Sequence, residues 1–397
     1  IQEALDMICL DGGVVELNNG TFNISTPIRI RENNITFRGQ SMNITRIHVT
    51  TQGTYGIVIG RWDDYRQRSR DMFYDTNWMP YSTKIPQDHE EHPEHWTDNT
   101  IIEDLTIDGI SVYPYYGEGT KMWDCYSGIA GVQLWNTSIS RVEIIGDVIS
   151  SYSDRNPRLI SMTASVFPTV RDCILKDCLT GLFFAVGSGT IKLINNQIYN
   201  AIYYHGLQFN GGLCCGDNLV EGNRFINSGG IDIYSSSDVV VTKNLLENGK
   251  GGHGGIMIKL SKDIVVSRNI VKNSNYEQGA IAVYWGFYKG DYNITITNNL
   301  VYNNRDHGIL IDVDNRDIDH WSSLYLTLTS NTIVGSQKSG IFFGIDKDTS
   351  LAEATLRSHL RINSTIRNNI VVNNGEAGMN SAQNIVVDEN GVKTVTG

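Results

Sequence analysis

Apolar and polar positions alternate along this chain at a period of two, in short runs closed by turns. Ile231-Asp232-Ile233-Tyr234, Ile256-Met257-Ile258-Lys259 and the Val239–Val241 run show the pattern. This spacing predicts strands, and no run carries a stripe of period 3.6 long enough for half of a helical hairpin. From about Leu182 to Asn374 the runs repeat. Each copy reads Gly-apolar-x-apolar, a small or polar turn, then apolar-x-x-Asn-x-apolar, with a second Asn four residues after the first. The first column holds Asn196, Asn223, Asn244, Asn269, Asn299, Asn331 and Asn369. The second holds Asn200, Asn227, Asn248, Asn273, Asn303 and Asn373, and only the sixth copy, with Gly335, interrupts it. Successive copies are 27, 21, 25, 30, 32 and 38 residues apart. A period in this range is the mark of a solenoid.

Short strands joined by turns, about 25 residues per circuit, describe the coils of a β-helix. Stacked coils bring equivalent residues to about 4.8 Å, the ordinary strand spacing. An inward Asn side chain at that spacing bonds to the amides above and below it, as Asn ladders do in cross-β stacks. Both Asn columns are therefore expected to be scaffold, satisfying polar groups at bends.

The opening residues add a family resemblance. A short amphipathic stretch (Ile1, Leu5, Ile8) precedes Gly12-Gly13, a strand at Val14–Leu17, an Asn-Gly turn and two more strands. The run IQ-AL … GGVVEL-NGTFNIS-PI-I … ITFRGQ … T-I resembles the pectate-lyase-like, right-handed parallel β-helix superfamily. The resemblance implies an all-β, right-handed parallel β-helix solenoid with an N-terminal capping helix. A terminal coil needs such a cap, because it otherwise exposes apolar core and unpaired strand edges. The expected organisation is a single β-helix domain over residues 1–397: a cap helix in 1–12, an inserted loop in 61–99, regular coils in 100–376, and an end coil or tail in 377–397. Longer turns are expected at residues 312–327 and 344–360.

Composition narrows the partners. The formal charge of −11 disfavours non-specific binding to nucleic acid or to an anionic membrane. No apolar run approaches the ~18 residues of a membrane span, so membrane insertion is not expected. The chain begins at Ile1 without Met, which implies a preceding segment such as a signal peptide. The six cysteines form no zinc-like pairs; Cys173 and Cys178 are close enough in sequence to bridge a turn, and otherwise read as small buried hydrophobes. The Asn-x-Ser/Thr sequons add little in a chain so rich in Asn.

Residues 61–99 break the rhythm with a polar, aromatic insertion, and long loops of this kind are usually functional or disordered. Trp62, Tyr65, Tyr74 and Trp78 are candidates for a sugar-stacking wall. The run from Asp88 to His95 places His89, His92 and His95 at three-residue spacing among carboxylates, a candidate site for a divalent transition metal. Pro93 and the absence of HExxH order exclude the helical zinc-protease arrangement.

A β-helix core is filled by side chains, so chemistry must sit on an outer face walled by turns. Counting outward from the inward Ile231, Ile256, Ile281 and Ile309, one expected column reads Trp135, Thr163, Ala185, Asn210, Tyr234, Lys259, Tyr284, Asp312. Its neighbour reads Gln133, Ser161, Phe183, Gln208, Asp232, Met257, Ala282, Leu310. Lys259 between Tyr234 and Tyr284, with Asp232 and Asp312 nearby, supplies a base, an acid and a positive neutraliser. Proton abstraction beside a uronate carboxylate, followed by β-elimination or reprotonation, needs these groups. His253, which with His205 and His307 precedes a strand at a Gly bend, is a further candidate proton carrier. Asn210, Gln208, Trp135, Trp285, His205 and His307 are the candidate substrate contacts.

A second constellation is Asp312, Asp314, Asp317 and Asp319. Asp312 and Asp314 would stand roughly 7 Å apart on one strand face, a separation that suits an inverting glycosidase. The same carboxylates would also suit Ca²⁺. The piece GGIDIYSSSDVVVTKN…GGHGGIMI resembles polygalacturonase-type hydrolases, but that family's paired aspartates and Arg-x-Lys are missing. The sequence thus points to an extracellular polysaccharide-active protein, with lyase or epimerase chemistry on an acidic glycan first. A non-catalytic surface or virion β-helix and a glycoside hydrolase are the alternatives.

Overall fold

The computed structural model describes residues 1–8, 12–60, 89–111, 127–147, 158–185, 187–210, 216–251, 254–284, 290–312, 322–344, 360–375, 379–381, 386–388 and 391–393. The chain forms two compact units, Ile1–Leu219 and Val220–Gly397.

In the first unit the helix Gln2–Met7 turns Leu5 inward and grips the strand Ile28–Ile30 through Gln2. The Gln2 side-chain amide donates to the Arg29 carbonyl at 3.1 Å and its oxygen accepts the Arg29 N–H at 2.9 Å. One side chain thus occupies both polar groups of a strand residue at this end. The coils pair in parallel: Gly13–Glu16 on Ile35–Arg38, then Ile35–Arg38 on Ile101–Ile110, then Ile101–Ile110 on Ser138–Gly146. Ser127–Trp135, Arg158–Val166, Ile174–Ala185 and Gln197–Asn210 continue a second ladder. Phe37, Ile47, Ile102, Ile107, Ile129 and Leu175 fill the interior and exclude solvent.

The inserted loop reaches the coils earlier than its expected boundary. Its residues 61–88 lie outside the described part, but Trp96 is buried and Thr97–Asp98 already pairs with Leu134 and Trp135. Cys173 and Cys178 are both buried free thiols, so no bridge joins them.

The second unit stacks three parallel ladders. One runs Ile231–Tyr234, Ile256–Lys259, Ile281–Tyr284, Ile309–Asp312 and Ile341–Gly344. Another runs Ser237–Thr242, Lys262–Ser267, Gly290–Thr297, Ser322–Thr329 and Leu360–Arg367. The third links Arg224–Ile226 through Leu245–Glu247, Ile270–Lys272, Leu300–Tyr302 and Thr332–Val334 to Ile370–Val372. Ser322–Thr329 is therefore strand, where a turn through residue 327 was expected.

The two Asn columns do different work. Asn223, Asn244, Asn269, Asn299 and Asn331 each donate a side-chain N–H to the amide oxygen of the next column member, at 3.0–3.1 Å. Each of those oxygens also accepts the backbone N–H of the preceding Asn. From Asn244 onward the side chains also donate back to a strand carbonyl, as Asn299 does to Val266 at 2.9 Å. The expected ladder is present. The second column instead supplies backbone conformation: Asn227, Asn248, Asn273, Asn303 and Asn373 have φ between +51° and +55°. Asn tolerates this left-handed region and Gly enters it freely. Gly335, with φ +68°, keeps the same bend rather than breaking the column. The residue before each ladder Asn is left-handed as well, including Lys243 and Arg268, whose side chains give no hint of it.

Buried acids tie this packing to pH. Burial pushes the Cys173 thiol up to about 12 and raises Cys178 further, and in the second unit it also raises the Tyr276 phenol. These groups ionise in the unfolded chain at their ordinary, lower values, so above pH ~9 the unfolded state binds fewer protons than the folded state. Stability then falls as pH rises, by about 1.4 kcal/mol per pH unit for each group. Urea unfolding of the wild type and a Cys173→Ala/Cys178→Ala variant between pH 8 and 11 checks this. The wild-type midpoint is expected to fall more steeply; parallel curves would contradict it. Among the described residues, no helix is long and apolar enough to cross a membrane.

Candidate functional site

The first ladder of the second unit carries the site. Ile231, Ile233, Ile256, Ile258, Ile281 and Ile309 fill its inner side, so the alternate residues point outward. Asp232, Met257, Ala282 and Leu310 share one outward column in register. All four are nevertheless buried. For Met257 and Ala282 a glycine turn lies against the outward face. A Cβ on Gly254 would lie 3.3 Å from the Met257 methyl and 3.4 Å from the Ala282 Cβ. The next coil also runs close: a Cβ on Gly255 would meet the Ala280 carbonyl oxygen at 2.4 Å, closer than any real Cβ comes.

The adjacent outward column holds the reactive groups. Tyr234 stands opposite Lys259, and Tyr284 opposite Asp312. The pairing of Met257 with Ala282 and Ile258 with Val283 puts Tyr284 in line with Lys259. Neighbours in this column are one strand spacing apart, about 4.8 Å. Lys259 does not trail into solvent as a surface lysine would. Its Nζ lies 3.3 Å from Asp232 Oδ1, and the two side chains are only 7% and 3% exposed. A charge pair this dry is stable only while both partners remain, since each leaves the other as a buried charge. Tyr234, Tyr284 and Asp312 are half-buried and border solvent. The arrangement therefore offers a rigidly held ammonium, a phenol on each side of it, and a carboxylate beyond the second phenol. Next to Asp312 the column holds Gly344, which adds no side chain.

His307 sits at the bend before Ile309. Its Nδ1 accepts the Ser339 backbone N–H at 3.2 Å, which places the proton of the neutral ring on Nε2, 3.5 Å from Asp306 Oδ1. The ring stacks on Phe342 with centroids 4.5 Å apart, and Asp306 is held by Lys338 at 2.6 Å. These contacts fit a positioning role at the bend. His253, Trp285, Asp314, Asp317 and Asp319 lie outside the described residues, so the candidate Ca²⁺ cluster and the Asp312/Asp314 pair are represented by Asp312 alone.

The remaining candidates belong to the first unit. Gln208 and Asn210 pair with Phe183 and Ala185, and His205 is buried opposite Thr180. Trp135 is not in their column. The register aligns Thr163 with Val132 and places Trp135 opposite Val166, because Ile129, after Gly128, is the partner of Ile160, and the run after Gly131 lies too far along the strand. Gln133 leaves the neighbouring column for the same reason, and Ala130 aligns with Ser161 in its place. Trp135 stacks instead on His89 at 4.0 Å. One group was missed in the sequence: the Arg158 guanidinium lies 3.6 Å above the Phe183 ring. Its signal was the start of the strand two residues before Ile160. Of the histidines in the loop, His92 and His95 come together with Glu94, while His89 pairs with Asp98.

Several known structures share this architecture. The A-modules of two Azotobacter vinelandii mannuronan C-5 epimerases are similar. AlgE4 is 15% identical (TM-score 0.50) over 96% of this chain and 92% of its own, and AlgE6 is 14% identical (TM-score 0.53) over 96% and 94%. The catalytic domain of a GH87 α-1,3-glucanase in complex with nigerose is 13% identical, with a TM-score of 0.53, over 96% of this chain and 64% of that one. These likenesses establish the fold. No curated protein matches the chain in sequence. The family described as the right handed beta helix region matches residues 96–251 and 158–320, more than half of the chain. With its parallel coils and Asn ladder, this chain is a member of the right-handed parallel β-helix family.

Proposed function

We propose that the chain is an extracellular enzyme that abstracts the proton beside the carboxylate of a uronate unit in an acidic polysaccharide. The observation that carries this reading is Lys259, an ammonium fixed by Asp232 at 3.3 Å in the line between Tyr234 and Tyr284. A fixed cation is worth most where negative charge develops in a dry setting. Abstraction at uronate C5 breaks the C–H bond and leaves its electron pair delocalised onto the carboxylate oxygens, toward Lys259. One tyrosine oxygen takes that proton as its own phenolic proton passes to solvent. The second phenol then either protonates the departing glycosidic oxygen as a C4=C5 double bond forms, or returns a proton to C5 from the other face.

Two phenols about two strand spacings apart, ~10 Å, leave room for one sugar ring between them. Two of the similar structures are described as mannuronan C-5 epimerase modules, which supports uronate chemistry over the non-catalytic alternative. The test is incubation with polymannuronate and polygalacturonate in D₂O. Elimination creates an ultraviolet-absorbing unsaturated end, and epimerisation places deuterium at C5 without that absorbance; either outcome is expected. New reducing ends without either signal would replace this reading with hydrolysis, and no reaction would remove it.

A further inference from the structure

Away from the Lys259 column, the geometry points to a site for a first-row divalent metal ion, Zn²⁺ above all, formed by His92, Glu94 and His95. Residues Pro93–His95 make a single 3-10 turn with His92 as its first flanking residue. Three residues per turn bring positions i and i+3 onto one side. The His92 and His95 rings accordingly stack with centroids 5.0 Å apart. Glu94 Oε1 lies 3.1 Å from His95 Nε2 and 3.5 Å from His92 Nδ1. One donor atom from each residue falls within 4.8 Å of the others.

Those separations suit a metal. Ligands bound tetrahedrally at about 2.0–2.2 Å stand roughly 3.4 Å from one another. Two of the three edges already bracket that value, and the third closes by a small rotation of a side chain on the surface. His92 and Glu94 are 51% and 59% exposed, which leaves access for the ion and a water-filled fourth position. Two imidazoles with one carboxylate select zinc and its transition-metal neighbours over Ca²⁺, which takes oxygen ligands.

The turn is anchored. The His95 N–H donates to the His92 carbonyl at 3.0 Å and the Trp96 N–H to the Pro93 carbonyl at 3.1 Å. Trp96 is buried, and Thr97–Asp98 is paired into the coils. His89, the third histidine of the run, is committed elsewhere. Its Nε2 lies 3.1 Å from both Asp98 oxygens and its ring stacks on Trp135. The site is therefore His-Glu-His, and not the triple histidine that the sequence spacing suggests.

The test is titration of the metal-free protein with Zn²⁺ against a chromophoric chelator, with Co²⁺ absorbance reporting coordination and circular dichroism reporting the fold of each variant. One equivalent is expected to bind. His92→Ala and His95→Ala should each weaken binding by more than the roughly 10–100-fold that altering a supporting residue costs, and His89→Gln should bind as the wild type does. Absence of one-equivalent binding, equal affinity in all variants, or a loss in His89→Gln matching that in His92→Ala would each overturn the site.

Discussion

Asn299→Ala is expected to lower the unfolding free energy by about 4 kcal/mol, whereas Asn303→Gly, four residues away, changes it by less than about 1 kcal/mol. Asn299 belongs to the ladder. Removing its side chain leaves the Val266 carbonyl without the bond that Asn299 donates, and the Asn269 backbone N–H without its acceptor. Both are inside the coil, where an unmade hydrogen bond costs about 1–3 kcal/mol for each group. The amide bonds that Asn299 shares with Asn331 and Asn269 are lost as well.

Asn303 has φ +54°, and its side chain makes only a long, exposed bond of 3.3 Å to Asn273. Gly adopts that φ without strain, as Gly335 does in the next copy. Urea unfolding of both variants measures the contrast. Similar losses in the two would show that the columns share one role, against the structure.

The ladder was legible because a stacked amide needs the same residue in every coil, and repetition exposes it. The second column looked equivalent in sequence, since Asn serves both purposes, and Gly335 looked like a defect. Only backbone angles separate a hydrogen-bonding Asn from a left-handed one. Trp135 was misplaced because two glycines, Gly128 and Gly131, compete for one place in the repeat, and the register makes Ile129 and not Val132 the partner of Ile160.

The alignment of Tyr234, Lys259, Tyr284 and Asp312 followed from the inward isoleucines. The burial of Lys259 did not, because it goes with the ion pair that coil stacking makes with Asp232, at 3.3 Å. His307 shows the same limit. The acceptor role of its Nδ1 comes from Ser339, 32 residues further along and brought close only by coil stacking.

Lys259 carries the largest expected effect on activity. Lys259→Met keeps the length and apolar stem of the side chain but removes the ammonium, so the charge on the enolate forms without a neutraliser. Loss of one preorganised electrostatic group costs about 10²–10³ in rate, and a full positive charge in a dry site should reach or exceed the upper figure. The single variant also leaves Asp232 as a buried charge, which costs about 3–5 kcal/mol of stability. Asp232→Leu/Lys259→Met removes both charges together and is expected to recover the lost stability. Loss of activity in that folded double variant separates chemistry from unfolding.

The decisive measurement is the rate of C5 deuterium exchange or unsaturated-product formation on an acidic glycan, for the wild type and for Asp232→Leu/Lys259→Met. The account predicts a fall of about 10³-fold or more with an unchanged circular dichroism spectrum. A folded double variant that works at the wild-type rate would contradict it.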